Sequence, residues 1–131
     1  VGEMAVFGES VIAVDTDDSS DRVVALRGTV GGMYSYSDDD GLFNLTTSAQ
    51  YMYNDGHQLG LMVNWTNILK SKFSASGMWF GSLGDDAGML NLTLRLPALD
   101  WVKPSLGVQH VYGAAQATTV YFAVTMGSGS F

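Results

Sequence analysis

The strongest constraint on the fold is a repeat of short segments in which apolar and polar residues alternate. In the segment 89–99, one parity holds Leu90, Leu92, Leu94, Leu96 and Ala98, and the other holds Asn91, Thr93, Arg95 and Pro97. Successive side chains of a β-strand point to opposite faces, so this period of two is typical of a strand with one apolar and one polar face. The segment 117–127 alternates in the same way.

Segments of this kind run through the chain and are separated by clusters of Asp, Asn, Gly, Ser and Lys, which favour turns. They predict strands at 3–14, 22–36, 42–53, 59–68, 73–83, 89–99, 105–113 and 117–127. Pro104 is expected in the connection 100–104, because proline cannot donate to a central ladder. We therefore predict an all-β fold: an up-and-down antiparallel transmembrane β-barrel of about eight strands, made by residues 1–131 as one domain.

The distribution of charge predicts which face of the strands is turned outward. Only 15% of the residues are charged and 47% are hydrophobic, whereas soluble domains average about 25% charged. Glu9, Arg27 and Arg95 are the only charged residues well inside the predicted strands. A soluble barrel would cover its outside with Lys and Glu, so the sequence predicts that the apolar face meets lipid and the polar face lines the interior. No run of roughly 20 apolar residues is present that could span a membrane as a helix.

Aromatic residues are expected at the two ends of the strands, where lipid headgroups lie. Tyr34, Tyr36, Phe73 and Trp101 fall near one predicted rim, and Tyr51, Tyr53, Trp79 and Tyr112 fall near the other. The segments between these rims have the length of about ten residues that a tilted strand needs to cross the hydrocarbon.

With these features the chain resembles bacterial outer-membrane β-barrel proteins, a group that includes small OmpA-like and OmpX-like barrels and larger porins. The resemblance covers the whole chain, and it includes a terminal Phe131 after Met126-Gly-Ser-Gly-Ser130. It implies location in the bacterial cell outer membrane, contact with a lipid bilayer or detergent, and a non-enzymatic role as a narrow passive pore or a structural element of the envelope. The short connections indicate a trimmed or engineered barrel, or the C-terminal part of a larger porin-like protein.

The polar face contains the candidate site residues. A hairpin centred near residue 18 puts residues whose numbers sum to about 36 opposite one another, which predicts an ion pair between Glu9 and Arg27 in the barrel interior. Arg95 is a third candidate member, and Gln50, Asn64 and Asn91 are predicted to line the interior. Three interpretations stay open: a charged network that plugs the barrel, a conducting constriction, and no contact between these residues.

Other classes of site have less support. A net charge of −7 with six basic residues argues against nucleic-acid binding, and the absence of cysteine excludes disulfides and thiolate metal sites. No cofactor or metal is expected, and His57 and His110 do not form a metal-ligand pattern. The acidic clusters offer carboxylates that a divalent cation takes, but solvated turns explain them better. These clusters are Asp15, Asp17, Asp18 and Asp21, and Asp38, Asp39 and Asp40.

Two alternatives belong to other functional classes. A soluble β-barrel that binds a small apolar ligand would fold without detergent. An outer-membrane enzyme would lose activity when His110 is changed.

Overall fold

The computed structural model describes residues 1–14, 24–40, 43–54, 56–68, 71–97 and 102–126. These residues form one eight-stranded sheet in which each strand pairs antiparallel with the next along the chain. The strands are β1 (Gly2–Val14), β2 (Val24–Ser37), β3 (Asn44–Asn54), β4 (His57–Thr66), β5 (Ser74–Ser82), β6 (Gly88–Arg95), β7 (Val102–Tyr112) and β8 (Ala117–Met126). The predicted up-and-down antiparallel order is therefore confirmed.

Short connections place the strand ends at two edges of the sheet. We call the end reached by the β3–β4, β5–β6 and β7–β8 connections the upper end, and the opposite one the lower end. Gly113 has φ +124° and Asp86 has φ +47°, and both lie in connections at the upper end, where left-handed residues reverse the chain. At the lower end, the backbone N–H of Phe43 donates to Asp38 Oδ1 at 3.2 Å and closes the turn between β2 and β3.

The expectation that Pro104 lies in a connection is wrong. Pro104 belongs to β7 and pairs with Val124 of β8. Its carbonyl accepts a hydrogen bond from Leu96 N–H at 3.0 Å, just past the end of β6. The N–H and C=O of a strand residue point to the same side of the strand. The N–H that proline lacks would therefore point beyond the end of β6, where there is no ladder partner. The ladder between β7 and β8 therefore loses nothing.

The register of the first hairpin also differs from the prediction. Glu9 pairs with Thr29, and Arg27 pairs with Val11, so the numbers of paired residues sum to 38 and not to about 36. Glu9 and Arg27 are thus diagonal neighbours on the same face. They do not lie directly opposite one another.

The described part of the sheet encloses no hydrophobic core. Among the described residues, no hydrophobic side chain is buried. The two outer strands, β1 and β8, have no second neighbour in the described part of the chain. The sheet is therefore open at these two edges in the structure, and closure into a barrel remains a proposal.

Candidate functional site: an uncharged sheet face and a polar sheet face

The seven strand pairings place the more apolar side of each strand on one face of the sheet. Following partners across the sheet gives the row Met4, Tyr34, Thr47, Val63, Gly77, Leu92, Val108 and Val120. The adjacent row, on the opposite face, is Ala5, Met33, Ser48, Met62, Met78, Asn91, Gln109 and Thr119. We call the face of the first row the apolar face and that of the second row the polar face. A slip of one residue in any pairing would mix them.

All charged residues of the described strands lie on the same face of the sheet. Within the eight strands, every Asp, Glu, Lys or Arg lies on the polar face: Glu3, Glu9, Arg27, Arg95 and Lys103. The apolar face carries none within the strands that the structure describes. An uncharged surface that extends over eight strands is unsuited to water.

The apolar face is nevertheless the more exposed of the two on β6 and β7. Leu92 is 49% exposed and Leu106 is 45% exposed, whereas the neighbouring polar-face residues Asn91, Thr93 and Gln109 are half-buried. Large exposed apolar patches mark surfaces that contact lipid, a ligand or another protein. This face therefore requires a cover that the described residues do not supply.

An aromatic cluster lies on the apolar face at the upper end. Trp79 Nε1 donates a hydrogen bond of 2.8 Å to the hydroxyl of Tyr112. The two side chains lie over Gly81 and Gly88, where an added Cβ would stand 2.7 Å from the Trp79 ring and 2.6 Å from Tyr112 Cζ. The glycines therefore make room for the pair.

Two histidines extend this upper cluster along the rim. The His57 ring packs against Tyr53 at 5.2 Å between centroids and lies within hydrogen-bond distance of the Tyr51 hydroxyl. His110 stacks on Tyr112 with an interplanar angle of 16°. Residues with an apolar body and a polar tip are suited to a boundary between apolar and aqueous surroundings.

A second aromatic cluster lies at the lower end. Phe43 makes edge contacts with Tyr36 and with Trp65, at centroid distances of 6.0 and 5.4 Å. Tyr34 lies on the same face, where its ring covers Gly2. The structure thus places Tyr34, Tyr36, Tyr51, Tyr53, Trp79 and Tyr112 at the two ends expected from the sequence, while Trp101 and Phe131 lie outside the described residues. Phe43 and Trp65 are additional members of this rim that the sequence pattern did not predict.

Shallow grooves cross the apolar face between the clusters. One of them has a volume of about 610 Å³ and runs over β4 to β7, where Gly77 leaves a gap between Leu61, Val63 and Leu92. A smaller groove of about 350 Å³ lies over Gly32 and Ala49. Apolar residues form nearly all of the lining, so the grooves are suited to alkyl chains or to another apolar occupant.

The polar face carries large apolar side chains as well as polar ones. Met33, Met62 and Met78 lie in one row, with Ser48 between the first two. Methionine adapts its shape to irregular space. The ring of Phe7 covers Gly31 in a similar way, since an added Cβ there would stand 2.6 Å from Phe7 Cζ. Sequence reasoning missed this filling because it depends on which residues share a row.

A hydrogen-bonded group on the polar face joins strands that are not neighbours. Tyr121 of β8 reaches across Gly107 of β7, and its hydroxyl lies 2.9 Å from Thr93 Oγ1 of β6. Asn91 Oδ1 lies 3.2 Å from Thr93 Oγ1 and 3.4 Å from the Tyr121 hydroxyl. It accepts from one of these hydroxyls, while the other donates within the Thr93–Tyr121 pair. The predicted lining residue Asn91 is thus part of a cross-strand network. Gln50 and Asn64 lie on the same face.

The three charged candidates do not form one site. Glu9 and Arg27 line a cavity of about 290 Å³ near the upper end, together with Met52, Asn54 and Gln58. No ion pair within 4.0 Å joins Glu9 to Arg27 in the described structure. Arg95 lies at the lower end in the row that includes Ser37. At about 3.3 Å per residue, that row lies roughly 33 Å along β2 from Arg27.

Two of the remaining candidate residues, Asp38 and His110, have local partners. Asp38 holds the β2–β3 turn, as described above, and Asp15, Asp17, Asp18 and Asp21 lie outside the described residues. Among the residues that the structure describes, no three or more His, Asp or Glu side chains are grouped to hold a metal ion. His110 Nδ1 lies 2.8 Å from Thr118 Oγ1 on the apolar face.

Comparison of the chain with known protein families, curated proteins and solved structures returns no match. None of the described residues belongs to a helix with the length and apolar character needed to cross a membrane.

Proposed function

We propose that this chain is a non-enzymatic, membrane-spanning β-barrel of the bacterial outer membrane, which acts as a narrow passive pore or as a structural element of the envelope. The apolar face contacts the acyl chains, and the polar face lines the interior. The observation that carries this proposal is that every charged residue of the described strands lies on the polar face. Lipid penalises charged side chains, whereas a water-lined interior does not.

The two aromatic clusters support the same orientation. They lie on the apolar face at opposite ends of the strands, with Gly, Ala, Val, Leu and Thr between them. Tyr and Trp favour the headgroup level of both leaflets. An arrangement with lipid against this face places every strand charge in the interior or near its mouth.

The filling of the polar face supports a narrow pore over a wide one. An eight-stranded barrel has an interior that side chains just fill. The methionine row, Phe7 and Tyr121 occupy that space, so we expect either no conductance or a small one.

The first experiment is refolding of the urea-denatured chain with and without lipid or detergent, followed by far-UV circular dichroism and heat-modifiable gel mobility. We expect β-structure only with lipid or detergent. Planar-bilayer conductance of the folded product then separates a pore from a structural element. Folding to a monodisperse species in plain buffer would overturn the membrane proposal.

A matched pair of cysteine variants tests which face contacts lipid, because the chain has no cysteine of its own. Val63→Cys lies on the apolar face and Met62→Cys lies beside it on the polar face, at 44% and 40% exposure. We expect a fluorophore at position 63 to be quenched by nitroxide on lipid acyl chains and one at position 62 to escape that quenching. Aqueous iodide, the second quencher, should not reach position 63. The reverse pattern would show that the faces are assigned wrongly.

The alternative function is a soluble barrel that holds a small apolar ligand against the apolar face, and the groove of about 610 Å³ is the observation that favours it. In that arrangement, position 63 is shielded from both quenchers. The protein would also bind an apolar fluorescent probe in plain buffer.

A further inference from the structure

The free edges of the sheet supply a specific prediction about how it closes. Eight strands that alternate in direction leave β1 and β8 antiparallel to each other. In lipid, each unpaired backbone group costs several kcal/mol, so open edges are not tolerated there. We propose that β8 pairs with β1 of the same chain, and this inference rests on the proposed function. In a flat closure, each residue of β8 would pair with the β1 residue of its own row. The proposed pairing is offset from that flat closure by eight or ten residues along the strands.

The strand ends show the direction of the offset. The row of paired residues that starts at Phe7 of β1 crosses all eight strands and ends at Ala117, the upper end of β8. β1 continues upward from Phe7 to Val14, so the upper ends descend by seven residues from β1 to β8. The lower ends descend in the same direction, because the row of Gly2 reaches Phe122 and β8 continues to Met126.

Barrel geometry limits the size of the offset. With about 3.4 Å per residue and about 4.8 Å between strands, an offset of eight residues tilts eight strands by about 35°, ten by about 42° and twelve by about 47°. Barrels tilt their strands by about 35–45°. An odd offset would put polar side chains of β8 beside apolar ones of β1. Eight and ten are therefore the offsets that satisfy both conditions.

Each offset names the residues that face one another. A flat closure pairs residues whose numbers sum to 124, as Phe7 and Ala117 do. The offsets of eight and ten raise this sum to 132 and 134. Ala123 then lies opposite Glu9 or Val11, all of them on the polar face.

Disulfide formation in double-cysteine variants tests the closure, using the full chain refolded in lipid vesicles. The variants are E9C/A123C for a sum of 132, V11C/A123C for 134, V11C/T125C for 136 and A5C/T119C for the flat closure. All four pairs lie on the polar face, and the measurement is the rate of intramolecular cross-linking after addition of a mild oxidant.

We expect E9C/A123C or V11C/A123C to cross-link at least about tenfold faster than A5C/T119C, because a disulfide requires Cβ atoms about 3.5–4.5 Å apart. Fastest reaction in A5C/T119C or V11C/T125C overturns the proposed offset. Cross-links that form only between chains show that the edges pair with a second copy, which overturns closure. Whether folding requires lipid is measured separately. If the chain folds in plain buffer and cross-links fastest in a pair whose numbers sum to 132 or 134, the proposed closure stands and the membrane proposal is wrong.

Discussion

The two faces of the sheet are built from the same strands, yet they differ in how their space is used. On the polar face, Tyr121 covers Gly107 and Phe7 covers Gly31. On the apolar face, Gly77 and Gly32 remain at the bottom of open grooves. Side chains of the sheet thus cover central glycines on the polar face, whereas the central glycines of the apolar face lie open. This difference supports the proposal that the apolar face contacts lipid.

The largest expected effect comes from a charge placed on one face or the other in the middle of β3. Ala49→Arg puts a guanidinium on the apolar face, and we expect it to lower the free energy of unfolding in vesicles by about 2–4 kcal/mol, the cost of Arg near the bilayer midplane. The measurement is a denaturant titration in lipid vesicles.

Gln50→Arg is the matched control for that substitution. Gln50 lies on the polar face between Gly31, which the Phe7 ring covers, and Gly60. A Cβ at Gly60 would meet no side chain nearer than Phe80, at 3.6 Å, so a longer side chain at position 50 has room on that side. We expect a clearly smaller loss of stability than for Ala49→Arg, together with a shift of any conductance toward anions. Equal losses in the two variants would remove the distinction between the faces.

A pair of glycine substitutions tests the difference in packing. Gly107→Ala places a Cβ against the Tyr121 ring, 2.6 Å from Cε2, so the ring must move and the Thr93 hydrogen bond is disturbed. We expect a loss of about 1–3 kcal/mol in the free energy of unfolding, as for other overpacked sites. Gly77→Ala is the control, since its Cβ meets only Leu92 Cδ2, at 3.2 Å. A similar loss in both variants would show that the apolar face is as tightly packed as the polar face.

A substitution in the upper aromatic cluster is expected to change the free energy of unfolding by a smaller amount. Tyr112→Phe removes the acceptor of the Trp79 hydrogen bond, and we expect a loss of about 0.5–1.5 kcal/mol in vesicles. Tyr53→Phe is the control, because the Tyr53 hydroxyl has no hydrogen bond among the described residues. The same denaturant titration compares them, and an equal effect of both changes would mean that the Trp79 contact adds no stability.

The alternation in the sequence predicts the strands and their faces, since a period of two determines which residues share a side. It does not determine the register of the first hairpin. A slip of two residues leaves every side chain on its face, so the pattern cannot distinguish a sum of 36 from the observed 38. The position of Pro104 was missed for a related reason, because its missing donor is harmless only where β6 has already ended. The methionine row and the Tyr121 network also depend on register, which exists only between strands.

The smallest expected effect concerns Glu9 and Arg27, the charged residues that the sequence places together. The observed register makes them diagonal neighbours beside a cavity, without an ion pair within 4.0 Å. Glu9→Gln should therefore change the free energy of unfolding by less than about 0.5 kcal/mol, because an unpaired, solvated carboxylate contributes little. If the interior conducts, the same substitution should lower cation preference in bilayer recordings, since it removes a negative charge from the interior.

A double-mutant cycle of Glu9→Gln with Arg27→Gln provides the control. A coupling energy well above 1 kcal/mol in that cycle would show that the two residues form a buried pair in the membrane and that the interior is plugged there.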